Sequence, residues 1–429
     1  MLKTKPQMQQ LAYALVLCMG LILASGARGQ ILQIPADKLA DLVGEPSSPY
    51  SFFAVQDGEL EPVPHQWMRF STAGYPAFTS DPQTERQPHD GQIRSADRLL
   101  LRREDGGPPL RDTPRMGNLV GELVVDYPDD TLVFYVMKNA YRQATKRYVK
   151  FDRDQMVIKS TDYSLSMAPD NMLIWRDFHY RGYEQPSGER QSILDSLKIR
   201  MGAGLFTRDN RITMTNRNLD PTIESMVRGP LAWALHATTR VKVAGVTVLK
   251  INNYFLIMPT QTDIHSRFTL PGVARTVINN PSLSISLDGN KLLGGKLKTS
   301  WTGERMAEVD GRVSGEEEQM RGAPLEKDNW IWFSSGRGFD VLARLAFRDG
   351  ASVPAHLLYQ DSLKKTNKPE RFPGQLPNVG FTMNELPIGE EFYFLTRLYF
   401  SGDSEGMDAR RYADHILTDP EILFQTTSE

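Results

Sequence analysis

The most chemically loaded run of the chain is Trp175-Arg176-Asp177-Phe178-His179-Tyr180-Arg181. Read as a strand, its period of two puts Trp175, Asp177, His179 and Arg181 on one face and Arg176, Phe178 and Tyr180 on the other. On such a face Asp177 can orient His179 as a general base, or itself serve as an acid. Arg176 or Arg181 would then hold a substrate carboxylate and Tyr180 would donate a proton, but a bulge is needed to bring Arg176 and Tyr180 round to His179. Trp175 beside charged groups also suits a sugar, whose C–H surface packs on an aromatic face while charges take the hydroxyls. The plainer reading is an exposed strand face laced with cross-strand ion pairs. Trp330 and Trp332, two residues apart in Asn329-Trp330-Ile331-Trp332-Phe333, form a second candidate ligand platform, or else core packing.

Other chemistries find less support. The seven histidines (His65, His89, His179, His236, His265, His356, His415) show no i,i+4 pair and no His-x-His, so no metal site is predicted. The acidic stretches Asp152-Arg153-Asp154 and Asp403-Ser404-Glu405-Gly406 offer oxygen ligands but do not follow the twelve-residue calcium loop, and turn chemistry accounts for both. There is no Gly-x-Ser-x-Gly nucleophile elbow and no P-loop, and Gly336-x-Gly338 reads as a turn. No cofactor is expected. The one cysteine, Cys18, excludes a disulfide framework and a cysteine zinc site.

The elements that must position these residues are read mostly at period two. Val120–Asp126 and Thr131–Met137 flank Pro128-Asp129-Asp130, and Arg147–Phe151 and Gln155–Ser160 flank Asp152-Arg153-Asp154. Tyr163–Met167 and Met172–Tyr180 flank Ala168-Pro169-Asp170-Asn171, and Arg240–Val243 and Val246–Ile251 flank Ala244-Gly245. Leu283–Leu287 and Lys291–Lys298 surround Asp288-Gly289-Asn290, and short runs continue to Glu391–Phe400. Turns at such spacing predict a mainly β chain: a large antiparallel β-sandwich, a smaller N-terminal β-rich region and few helices. Helix is expected over Asp408–Leu417 and, interrupted by Gly229-Pro230, over Thr222–His236.

Three segments are drawn. Residues 1–29 carry Lys3 and Lys5, a 14-residue apolar run from Leu11 to Ala24, and a small-residue exit, the order of a secretory signal peptide. The run is short for a permanent anchor, and no second apolar run of 18 residues follows, so no stable membrane span is expected after cleavage. Cleavage removes Lys3, Lys5 and Arg28 and no acid, moving the net charge from −2 to −5 and leaving no cysteine. A nearly balanced charge gives no single-sign field for a polyanion, so no nucleic-acid partner is expected. Residues 30–115 form the N-terminal region and 116–429 the large β region, joined near Gly106-Gly107-Pro108-Pro109; Val309–Asp328 is a second candidate boundary or a solvated loop.

Two stretches resemble a known pattern. The first runs Val63-Pro64-His65-Gln66-Trp67, Asp90-Gly91-Gln92-Ile93, Asp97-Arg98-Leu99-Leu100-Leu101-Arg102 and Asp105-Gly106-Gly107. The second runs Gly380-Phe381, Leu386-Pro387-x-Gly389 and an aromatic strand ending Leu398-Tyr399-Phe400. Together they resemble a family of exported, β-rich bacterial proteins of unassigned function, from which Arg98 departs by replacing a usual acid. The resemblance implies the β class and export, and transfers no catalytic residue. The expectation that follows is an exported protein, periplasmic or secreted, that binds a glycan or an envelope protein without catalysis. Its alternative is a carbohydrate-active enzyme, lyase- or hydrolase-like, using His179, Asp177, Tyr180, Arg176 and Arg181, with Trp175, Trp330 and Trp332 as ligand-binding candidates.

Overall fold

The computed structural model describes residues 30–81, 90–110, 117–184, 191–348, 352–364, 371–372, 374–402, 404 and 407–427. The leader over 1–29, His89, and Asp403, Glu405 and Gly406 of the second acidic stretch lie outside the described residues.

The alternating runs fold as antiparallel sheets. The largest has nine strands in the spatial order Leu219–Arg228, Trp233–Val243, Val246–Ile257, Gln261–Thr269, Glu391–Ser401, Asp340–Phe347, Ile331–Ser334, Lys296–Thr299, Ala307–Glu308. A five-stranded sheet (Arg211–Thr215, Leu194–Leu205, Ile278–Gly289, Asn378–Met383, Ala355–Gln360) and a four-stranded one from Val149 to Tyr180 share an apolar core with it. Leu235, Phe255, Ile264 and Phe394 enter that core from the nine-stranded sheet, and Leu197, Ile285 and Phe381 from the five-stranded one. Side chains alternate along each strand, so every second residue of the large sheet is driven to its opposite face. That second face is covered twice. Phe70, Tyr75 and Phe78 pack on Ala234, Tyr254 and Leu256, and the helix Ala409–Leu417 packs on Trp330, Trp332 and Leu342.

A smaller sandwich holds the N-terminal part. A three-stranded sheet (Ile31–Pro35, Arg98–Arg102, Gln66–Met68) faces a five-stranded one (Glu421–Thr426, Leu119–Tyr127, Asp130–Lys138, Tyr50–Gln56, Glu59–Val63) across Leu32, Phe52, Leu99, Leu123 and Phe134. This pairing corrects the division at 115/116. Tyr50–Gln56 hydrogen-bonds to Asp130–Lys138, and the C-terminal Glu421–Thr426 closes the edge on Leu119–Tyr127, so one sheet draws on both segments.

The hairpins expected around Asp129, Asp152, Asp170 and Ala244-Gly245 are present as antiparallel pairs. Ala244 (φ 48°) and Gly245 (φ 83°) both take left-handed backbone, the conformation that lets a two-residue loop follow strand twist. Asp288-Gly289-Asn290 is not a hairpin. The strand before it pairs within the five-stranded sheet, and Lys296–Thr299 joins the nine-stranded one. Val309–Asp328 is neither boundary nor plain loop, because Ser314 and Glu317 form a reciprocal capping box that starts the helix Gly315–Gly322.

The helix expected over Thr222–His236 is two strands instead. Leu219–Arg228 and Trp233–Val243 pair antiparallel, and the connection Gly229-Pro230-Leu231-Ala232 is held from outside by Gln66. The buried Gln66 amide oxygen accepts from the Leu231 and Ala232 N–H groups (3.1 and 2.8 Å), and its nitrogen donates to the Ala232 carbonyl (3.1 Å). A Cβ on Gly229 would sit 1.9 Å from that amide, so any side chain there would displace the clamp. Tertiary pairing thus overrides local helical preference. Gln66→Ala leaves the Leu231 and Ala232 N–H groups without the Gln66 acceptor, while the Ala232 carbonyl keeps the Gly229 N–H, and should destabilise by about 2–4 kcal/mol in urea unfolding. A wild-type midpoint for that variant would show that the turn does not need the clamp.

Candidate functional site

Residues 175–180 occupy the end of the strand Asn171–Tyr180, with Arg181 in the turn that follows, and the strand carries the bulge that regular alternation lacked. Met167 pairs with Trp175 but Ser166 pairs with Asp177, leaving Arg176 as the extra residue. The consequence differs from the even alternation of the sequence. Trp175 and Phe178 are both buried and stacked (12° between planes), while Arg176 and Asp177 are both exposed. Arg176 therefore joins Asp177, and Trp175 leaves it for the core. Tyr180 stays on the apolar side, 5.6 Å from the Phe339 ring, with His179 half-buried and Arg181 exposed. Asp177 pairs with Arg371 at 3.5 Å on the surface. No residue of this run lines two apolar cavities found among the described residues of the sandwich, or the polar cleft described below.

The tryptophan platforms are corrected too. Trp330 and Trp332 lie beneath Ala409, Tyr412, Ala413 and Ile416 of the C-terminal helix, and Trp175 lies in the main core, so none presents a ring face for stacking. The Asp152 loop is a turn, with Asp152 Oδ1 accepting the N–H groups of Asp154 and Gln155.

The structure gathers chemistry elsewhere, on the second face of the nine-stranded sheet. Register sets His236, Tyr254 and His265 side by side on adjacent strands, with Asn252 and Arg267 in the next row. The N-terminal segment seals this face, and the seam between them is polar. At its deep end Asp263 accepts from Arg397 Nε (3.0 Å), Gln261 (2.7 Å) and Gln33 (3.1 Å). Burial pushes the Asp263 carboxyl up, but Arg397, His265 and these amides together hold it below the ordinary carboxylate range. His265 Nδ1 meets the Tyr393 hydroxyl at 2.7 Å, and burial drives the imidazole down to about 3 and the phenol up to about 12.

Towards solvent the seam opens into a cleft of about 530 Å³. Its floor is Arg267, which donates to both oxygens of Asp81 (3.3 and 3.2 Å), to the Tyr254 hydroxyl (2.7 Å) and to Glu391 (3.2 Å). Tyr254 in turn donates to Asp81 at 2.5 Å. Arg267 and Asp81 are both buried, and the guanidinium lies 5.2 Å from the Tyr75 ring centroid. Exposed Thr247, Lys250 and Thr269 form the polar rim, half-buried Asn252 joins the floor, and Val248 and Pro271 add apolar surface. Beside the cleft, Ser80 Oγ lies 2.7 Å from His236 Nδ1 and 2.7 Å from Ser225 Oγ, and His236 Nε2 lies 3.4 Å from Asn252 Oδ1.

Sequence reasoning missed this group because its members come from positions 80–81, 225–267 and 391, joined only by sheet register and docking. One signal was available. Alternation along Trp233–Val243, Val246–Ile257 and Gln261–Thr269 places His236, Asn252, Tyr254, His265 and Arg267 opposite the face that carries Trp233, Leu235, Phe255 and Ile264 into the core, and five such residues on a face that must be covered mark a polar seam.

The sequence matches no family model and no curated protein. Solved structures that align with the chain include an alpha-mannosidase from Enterococcus faecalis V583, at 10% identity and TM-score 0.45 over 94% of this chain and 45% of that one. An alpha-N-acetylgalactosaminidase from Bifidobacterium bifidum aligns at 11% identity and TM-score 0.36 over 60% of this chain and 39% of that one. A GalM/aldose epimerase homologue from C. elegans aligns at 10% identity and TM-score 0.30 over 59% of this chain and 98% of that one. The chain spans less than half the length of the first two.

The seam makes stability depend on pH with a definite sign. His265 stays neutral in the fold down to about 3, whereas the unfolded chain takes up that proton near 6.5. Between those values the unfolded state binds more protons, so stability falls as pH drops, by up to about 1.4 kcal/mol per unit for one fully shifted histidine. Burial lowers His236 and His65 as well, adding the same sign. Urea midpoints from pH 7.5 to 4.5 should fall steeply for the wild type and less steeply for His265→Asn; parallel curves would mean that His265 does not carry the effect.

Proposed function

We propose that the protein is an exported carbohydrate-binding protein of the cell envelope and that its ligand site is the Asp81–Arg267–Glu391 cleft. The observation that supports this most is a charge-balanced floor fixed by its own hydrogen bonds beneath a rim of hydroxyl and amide groups. Arg267 and Lys250 face Asp81 and Glu391, so the cleft has no net field to select an ion. Neutral polyols suit such a surface, because each hydroxyl both donates and accepts and can bridge carboxylate and guanidinium. Arg267, Asp81 and Tyr254 are held before any ligand arrives, which lowers the entropic cost of binding. Val248 and Pro271 offer apolar surface for the C–H side of a ring. Both oxygens of Asp81 are engaged by Arg267 and one also by Tyr254, so this carboxylate acts as an anchor in binding more readily than as a proton donor in glycosidic cleavage. Export is supported by Lys3, Lys5 and the apolar run after them. Among the described residues no helix is long and apolar enough to cross a membrane.

Isothermal titration of neutral mono- and oligosaccharides should find a binder, and Lys250→Ala with Glu391→Gln should weaken it at least about tenfold, or about 1.4 kcal/mol. Unchanged affinity in the double variant, or no binding across the panel at millimolar sugar, would remove the cleft as the site. Fusing residues 1–29 to a reporter tests export separately, and a reporter retained in the cytoplasm would refute it.

A further inference from the structure

The Ser80 cluster beside the cleft has the connectivity of an activated nucleophile. Asn252 Oδ1 can only accept, so the proton of the His236 imidazole resides on Nε2 and Nδ1 is left as an acceptor. The Ser80 hydroxyl therefore donates to Nδ1 over 2.7 Å, and Ser225, also 2.7 Å from Ser80 Oγ, must be the donor in that second contact. The imidazole cannot swing away. It packs on Tyr254 (5.0 Å, 10°) and on Phe78 (5.9 Å, 27°), two rings that also touch each other, and is almost wholly buried. Ser80 is half-buried and adjoins Asp81, which lines the cleft together with Asn252. A hydroxyl aimed at an imidazole, itself oriented by a third side chain, is the arrangement that nucleophilic acyl transfer requires.

We propose that Ser80 is a nucleophile for acyl esters, with His236 as its base and Asn252 as the residue that positions the imidazole, and that the ester is carried by the sugar in the cleft. The sugar half of this statement rests on the carbohydrate reading above; the ester chemistry does not. Ser80 Oγ forms a bond to the acyl carbon while its proton passes to His236 Nδ1. The tetrahedral intermediate collapses, the bond from that carbon to the sugar oxygen breaks, and Nδ1 returns the proton to that oxygen. Water then attacks the acyl-serine, giving one proton to His236, and Ser80 departs and regains it. Ester and water become alcohol and carboxylic acid, with no other reactant. An amide orienter places no charge against the imidazolium, so the site suits esters better than the more demanding amides. Burial lowers the His236 pKa and keeps the ring an unprotonated base at neutral pH; Asp81 and Glu224 favour its protonation and Arg267 opposes it.

The test uses the mature full-length chain with p-nitrophenyl acetate, a mono-O-acetylated methyl glucoside and a fluorophosphonate probe. The probe should label Ser80, read by peptide mass spectrometry, and p-nitrophenyl acetate turnover should fall at least about 100-fold in Ser80→Ala, a change too small to disturb folding. Asn252→Ala should lower kcat about tenfold with KM little changed, and Asn252→Asp should restore kcat and shift the acidic limb of the pH profile. No label on Ser80, or wild-type turnover in Ser80→Ala, would overturn the proposal. Turnover of p-nitrophenyl acetate without turnover of the acetylated glucoside would overturn only the sugar half. Sugar binding in the cleft without labelling would overturn the nucleophile and leave the carbohydrate reading standing.

Discussion

The arrangement of the candidate site depends on one buried ion pair, Arg267 with Asp81. Arg267 projects from the middle of the nine-stranded sheet and Asp81 belongs to the N-terminal segment that covers it, 186 residues away in sequence. Burying a guanidinium is costly unless a carboxylate and further hydrogen bonds meet it, and here Asp81, Tyr254 and Glu391 all do. The pair therefore admits one seating of the segment, because any other leaves a buried charge unmatched. Ser80 precedes Asp81, so the same seating fixes its hydroxyl against His236. Structural electrostatics and candidate chemistry are in this sense one interaction.

The deep end of the seam extends the logic without opening to a ligand. Asp263 with Arg397, and His265 with Tyr393, sit between the large sheet and the residues Gln33 and Arg98 of the small sandwich. Two apolar faces would pack there more cheaply, but they could slide. A polar row with defined partners fixes register, as single buried polar groups do in other assemblies. The cleft is where this row reaches solvent, so its geometry is inherited from a feature already required for docking.

How far the sequence revealed this follows from the range of each interaction. Hairpins written in contiguous residues, such as the pair about Ala244-Gly245, were legible, and so was the C-terminal helix, whose N-cap Asp408 accepts from the N–H groups of Arg410 and Arg411. The bulge at Arg176 was not, because it arises from the register with Tyr163–Ala168, and one inserted residue was enough to move Trp175 from the charged face to the core. The strands replacing the expected Thr222–His236 helix depend on Gln66, and the burial of Trp330 and Trp332 depends on a helix some 80 residues later. Ser80, His236 and Asn252 share no local pattern at all. Only the register of Trp233–Val243 on Val246–Ile257, together with the seating of the N-terminal segment, makes them neighbours.

Residues of the stretches 63–67 and 90–107 acquire a physical reason from the same contacts. Gln66 of the Pro-x-Gln stretch clamps the 229–232 turn of the large sheet. Asp97 accepts the N–H groups of Phe70 and Arg94, shaping the chain that leads to the covering segment. Asp105 accepts from Tyr148, and Arg102 lies 4.4 Å from that ring, tying the small sandwich to the start of the large one. Arg98 lies over the Phe70 ring at 4.1 Å and donates to Gln33, a role that needs a cation. These positions hold the N-terminal layer on the sheet, while Ser80, His236, Asn252 and Glu391 line or adjoin the cleft. Docking and cleft chemistry thus fall on different residues, which makes the cleft residues rather than the docking residues the informative place to look for function.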